Sequence, residues 1–172
     1  MFEAYEINND NTARFTLGRY VSKSLLVFGI NPSTATKEKN DTTISIFEHI
    51  SAIRKCDGYI MLNIYPLRAT KIDNNFDKSC NKKLSDENLK YIADSIPMSA
   101  EIVAAWGTNI VTRDYFIEIL RQINEIVSNK KGKWVYLSLT KSGHPHHPTR
   151  LAYDKMIFAP FDIETYFTKF QK

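Results

Sequence analysis

The chain has 172 residues, 43% hydrophobic and 24% charged, which fits one globular domain over 1–172 and excludes a disordered, collagen-like or coiled-coil chain. No apolar run reaches the roughly 18 residues of a membrane span, no secretory leader precedes the first strand, and two cysteines, Cys56 and Cys80, are too few for a disulfide framework or a four-thiolate site, so a cytoplasmic monomer without a membrane partner is expected. The balance of 23 basic against 19 acidic residues, a net charge of +4, is compatible with a polyanionic partner without requiring one.

In chain order, Ser24-Leu-Leu-Val-Phe-Gly-Ile30 is a continuous apolar run ended by Asn31-Pro32, the pattern of a strand buried on both faces. Asp41 then caps a helix predicted over 41–55, with Ile44, Phe47, Ile50 and Ile53 read as one apolar stripe. Gly58 restarts the chain as a strand over 59–64, and a second helix follows over 84–96, stopped by Pro97. A third strand is predicted over 101–106, a long helix capped by Thr108 runs to about Ser128, and a fourth strand covers 133–139. Strands separated by helices need crossovers, so the expected fold is a three-layer α/β/α domain around a central, mostly parallel four-stranded sheet.

Ligands bind at the carboxyl ends of strands in such sheets. Four polar segments sit directly after the predicted strands: Asn31-Pro32-Ser33, Asn63 with Tyr65-Pro66, Trp106-Gly107, and Thr140-Lys-Ser-Gly-His-Pro-His-His-Pro148. Asn31 reads as a turn residue or as a ligand amide. Asn63 lies between Leu62 and Ile64 in an apolar run, where an unpaired amide costs about 1–3 kcal/mol, so something should satisfy it. His144, His146 and His147 are three of the four histidines, and such a grouping marks a site for proton transfer or a metal. Against a metal, no Asp or Glu stands nearby and adjacent histidines point apart in extended chain. His49 reads as a helix-surface or packing residue. No glycine-rich phosphate loop, dinucleotide fingerprint or nucleophile elbow is present.

The series Gly29-Ile30-Asn31-Pro32-Ser33, Leu62-Asn63, Trp106-Gly107 and the late His-Pro loop resembles the uracil-DNA glycosylase superfamily, especially its mismatch-specific branch. That branch carries an Asn-Leu-x-x-Arg-x-Thr stretch, to which Asn63-Ile-Tyr-Pro-Leu-Arg68-Ala-Thr70 is similar with one extra residue. From Leu25 to Leu151 the chain also resembles a little-characterised bacterial and phage family with Asn-Pro-Ser-Thr-Ala, Ala-Trp-Gly and Gly-His-Pro-x-His-Pro motifs.

The first resemblance implies a monofunctional DNA glycosylase of uracil-DNA glycosylase-like fold, which flips a base out of DNA and hydrolyses its N-glycosidic bond. It implies catalytic roles for Asn31, which would hold the attacking water, and for His147, with His144 as the second register of the same motif. Asn63 would read the base. Ser33 stands where strict uracil enzymes have a tyrosine, which leaves room for a modified or damaged pyrimidine, in repair or in defence against phage with altered DNA. Phe28, Tyr65 or Trp106 would stack on the extruded ring, or simply pack in the core. Arg150, Leu151, Lys141 and Arg68 would contact DNA, with Leu151 filling the vacated stack. No metal or organic cofactor is implied. Other readings are an enzyme acting on free nucleosides or nucleotides, a non-catalytic module binding a modified base, and a metallohydrolase built on the late histidines.

Overall fold

The computed structural model describes residues 2–20, 23–33, 42–73 and 76–171; within these, the side chains of residues 2, 3, 20, 42–44 and 150 are not described. A seven-stranded sheet runs β1 (Phe2–Ile7), β2 (Arg14–Tyr20), β4 (Gly58–Asn63), β3 (Ser24–Gly29), β5 (Glu101–Ala104), β6 (Lys133–Tyr136), β7 (Ala159–Pro160) in spatial order. The inner four strands pair in parallel, β3 with both β4 and β5, and β5 with β6. An antiparallel hairpin, β1–β2, joins one side through β4, and β7 lies antiparallel to β6 on the other.

The expected four-stranded sheet is therefore the parallel centre of a mixed sheet. Its strands were readable because both their faces are buried, which leaves unbroken apolar runs. The outer strands carry no such run: β2 holds Arg14, Thr16 and Gly18, and β7 is two residues long.

Helices cover both faces. On one, α2 (Lys82–Ser95), α3 (Tyr115–Asn129) and α4 (Ile163–Thr168) pack with Leu26, Phe28, Leu62, Ile102 and Trp134 into the larger core. On the other, Phe47 and Ile50 of α1 (Thr42–Ile53) close over Leu25, Val27, Met61, Val103, Val135 and Leu137, the smaller core.

Two helix expectations need correction. Ile53 is 57% exposed; steps of three residues drift about 60° around a helix, so Ile53 has turned well away from Phe47. The long helix after β5 is two pieces, a 3-10 segment Gly107–Thr112 and then α3. Arg113 between them is extended (φ −143°, ψ 127°) and donates to the Asp73 and Asp77 carbonyls at 2.6 and 3.0 Å. The proposed cap Asp41 lies outside the described residues. Asn81 caps α2, its side chain accepting from the Leu84 amide at 3.2 Å.

Candidate functional site

Parallel pairing puts the carboxyl ends of β3, β4, β5 and β6 on one rim, with Gly29 of β3 directly beside Asn63 of β4. Side chains alternate along a strand. Ile60 and Leu62 enter the larger core and Met61 the smaller one, so Asn63 follows Met61 toward α1. A Cβ on Gly29 would stand 2.9 Å from Asn63 Oδ1 and 3.3 Å from Met61 Cε, so the amide lies against a position that only glycine leaves open.

Asn63 is 1% exposed, and neither its Nδ2 nor its Oδ1 has a hydrogen-bond partner among the described residues. Its own carbonyl is held from the other face, where Asn88 Nδ2 donates to the Asn63 and Ile64 carbonyls at 3.0 and 3.3 Å. Thr16 Oγ1 and Asn88 Oδ1 are also buried without a partner, but Asn63 has both ends of its amide in that condition.

The loop after β6 divides the histidines. It folds back as a hairpin, with an antiparallel bridge between Leu139 and Pro145 and the His146 amide donating to the Ser138 carbonyl at 2.9 Å. His144 is buried toward α4, its Nδ1 2.8 Å from the Tyr166 hydroxyl. His146 Nδ1 is 3.3 Å from Ser138 Oγ. His147 turns the other way, its ring 6.5 Å from that of Phe47 in the smaller core. His147 thus shares a sheet face with Asn63, and His144 does not.

The Thr149 amide donates to His147 Nδ1 at 3.4 Å, and Thr149 Oγ1 stands 2.8 Å from the same nitrogen. An Nδ1 that accepts leaves the neutral ring's proton on Nε2. Among the described residues, no group of three or more His, Cys, Asp or Glu side chains is arranged to hold a metal ion. Burial raises the pKa of both thiols, Cys56 and Cys80.

Asn31 holds a turn together: its Nδ2 donates to the carbonyls of Pro32, Leu67 and Ala69 at 3.1, 3.4 and 2.9 Å. Arg68, expected on DNA, is half-buried and donates to the Ser33 carbonyl at 3.1 Å and to the Tyr5 hydroxyl at 2.8 Å. Ser33 is half-buried beside it. Leu151 packs against the smaller core, and Lys141 is exposed on the late hairpin. The expectation for Arg150 concerns a side chain outside the description.

Phe28, Tyr65 and Trp106 are all in the larger core, across the sheet from Asn63. Phe28 meets Trp134 edge-on at 5.3 Å, and Trp106 Nε1 donates to the Tyr166 hydroxyl at 3.2 Å. The Tyr65 hydroxyl donates to Asp77 Oδ2 at 2.7 Å and accepts from the Asn81 amide at 3.1 Å; burial first, then that hydrogen bond to Asp77, raises its pKa. Packing, the other reading of these rings, is what the structure displays.

Residues 14–149 match the family described as a protein of unknown function, DUF1643. The chain belongs to that family. The matched DUF1643 region holds Asn31, Asn63, Arg68 and all three late histidines, and it stops just before Arg150 and Leu151. No curated protein and no solved structure matches the chain.

One residue on this face was not singled out from the sequence. Arg14 of β2 is 1% exposed, although arginine is among the residues least often buried. Its only trace in the sequence is its position, one charge set in the apolar stretch Ala13-Arg-Phe-Thr-Leu17.

Proposed function

We propose that this DUF1643 protein is a cytoplasmic glycosylase of uracil-DNA glycosylase-like fold that takes a modified or damaged pyrimidine out of DNA and hydrolyses its N-glycosidic bond. The observation that carries the reading is the buried Asn63 amide, whose donor and acceptor both lack a partner among the described residues. A carboxamide in that condition matches the paired acceptor and donor on a pyrimidine edge. Burial without a partner costs about 1–3 kcal/mol, which a ligand's edge would relieve.

The proposed chemistry uses Asn31 and His147. With Nδ2 given to three carbonyls, Asn31 has its Oδ1 to accept from a water aimed at the sugar. The water oxygen bonds to C1′ as the C1′–N bond breaks. The electron pair leaves with the base, stabilised by the His147 Nε2–H, and the proton shed by water ends on the base nitrogen. Ser33 keeps the site roomy for a substituent on the ring.

A second reading, an enzyme acting on free nucleotides, is favoured by the depth of Asn63, 1% exposed, which suits a small ligand better than a base carried on a duplex. The two are separated by incubating the protein with single- and double-stranded oligonucleotides carrying uracil, mismatched thymine or modified cytosines, then cleaving abasic sites with alkali. Strand scission on a modified substrate, lost in Asn31→Ala, is expected. Absence of scission on every substrate, or undiminished scission in Asn31→Ala, overturns the glycosylase reading.

A further inference from the structure

The backbone at Asn63 departs from a regular strand. On one side of β4, β2 pairs with it at Leu17 opposite Met61 and Gly18 opposite Ile60, and the chains next meet at the Ala13–Leu67 bridge. The stretch Arg14 to Thr16 therefore faces the longer stretch Leu62 to Pro66. On the other side, the Ile64 amide donates to the Gly29 carbonyl and the Tyr65 amide to the Ile30 carbonyl, both at 3.0 Å. Successive amides of a regular strand point to opposite neighbours. Here two in a row turn toward β3.

In a trans peptide the carbonyl points away from its own N–H, so the Asn63 and Ile64 carbonyls both turn from β3 toward the stretch where the pairing with β2 lapses. Asn88 of α2, 0% exposed, answers them. Its Nδ2 donates to the two carbonyls at 3.0 and 3.3 Å, with one hydrogen for each. Both peptides are thereby held at two ends, by the β3 side through the N–H and by Asn88 through the carbonyl. The first of them is the peptide that leaves the Asn63 Cα. Asn88 Oδ1 is buried without a partner among the described residues, so the side chain is committed through its donor end.

We infer that Asn88 is a positioning residue of the site: from the α2 face of the sheet it fixes the backbone at Asn63, and so the direction of the unpartnered amide on the α1 face. Without Asn88 the two buried carbonyls lose their donor, and regaining one requires their peptides to rotate. Rotation at Asn63 carries its amide away from the opening that Gly29 leaves beside it. The inference rests on the reading of Asn63 as the base-binding group.

The test uses the purified full chain. The probes are deoxycytidine and deoxyuridine derivatives methylated at carbon 5, each as the nucleoside and within a short single-stranded oligonucleotide. Affinity for the tighter probe is expected to fall at least about tenfold in Asn88→Ala and in Asn88→Asp, which keeps the shape and loses both donor hydrogens. In both variants the side-chain amide NMR signals of Asn63 are expected to move before any probe is added. A purely structural Asn88 would lower the melting temperature and leave affinity and those signals as in the wild type. The wild-type chain supplies a further measurement that stands even if neither variant folds: the Asn88 side-chain amide signals are expected to shift together with those of Asn63 as the probe binds.

Wild-type affinity in folded Asn88 variants, with affinity lost in Asn63→Ala, overturns the positioning role and leaves the base reading standing. Asn88 signals that stay still while those of Asn63 move do the same. Affinity unchanged by Asn63→Ala, or binding of no probe, overturns the base reading and the positioning role with it.

Discussion

The hydroxyl of Tyr166 stands 2.8 Å from Nδ1 of His144 and accepts from Trp106 Nε1 at 3.2 Å. The His144 ring is buried there against α4. Burial first, and the Lys169 ammonium second, hold its pKa below the ordinary 6.5. Below about pH 6.5 the unfolded chain binds the extra proton more readily than the folded one, so His144 makes stability fall as pH drops and adds no slope above that value. Urea midpoints at pH 7.5 and 5.5 check this. The loss between them is expected to be smaller in His144→Asn, whose amide can still hydrogen-bond Tyr166; an equal loss contradicts the lowered pKa of His144.

Tyr166→Phe removes the acceptor of a buried indole N–H and the hydrogen-bond partner of His144 in one step. Burial raises the Tyr166 pKa to about 12, with the Trp106 hydrogen bond opposing it, so the group is a neutral phenol at physiological pH. A loss of about 1–3 kcal/mol is expected, measured by denaturant unfolding. Affinity for base-bearing ligands should be unchanged, since Tyr166 lies across the sheet from Asn63.

Asn63→Leu replaces an unpartnered amide by an apolar group of similar size. The unliganded protein is expected to gain stability, by up to about 1–3 kcal/mol, because the uncompensated burial of two polar atoms disappears. Base recognition should be lost together with the amide. A variant that is destabilised and still active would show that the amide is held in some other way.

Gly29→Ala and Gly18→Ala separate site from scaffold. At Gly29 the new Cβ meets Asn63 Oδ1 at 2.9 Å, a side-chain atom that can shift, so activity should fall with a modest change in melting temperature. At Gly18 (φ +151°) the new Cβ would lie 2.1 Å from the Tyr59 carbonyl oxygen, which is backbone of the neighbouring strand β4. Melting temperature should fall sharply there, at or above the upper end of the usual overpacking cost of about 1–3 kcal/mol.

The parallel centre of the sheet was legible because Leu25 to Phe28 and Ile60 to Leu62 are buried on both faces, which writes itself into the sequence as unbroken apolar runs. Asn63 was legible for the same reason, as an amide out of place within such a run. Arg14 was not: a single arginine in an edge hairpin reads as a surface charge until the pairing of β2 with β4 shows that it is covered. Nor could composition divide His144 from His147, whose opposite directions depend on how the hairpin after β6 folds back. Phe28, Tyr65 and Trp106 were read as rings that would stack on a base or pack in the core, and which face each strand presents there is settled only by register and by the helices packed on it.

The two borders of the sheet have unequal capacity to recruit further chain. At β7 the border is two residues long and ends in Pro160, which has no amide hydrogen to offer, so growth by strand addition is blocked on that side. β1, six residues long, pairs among the described residues with β2 alone. Strand addition between copies of this molecule is therefore favoured at β1 over β7.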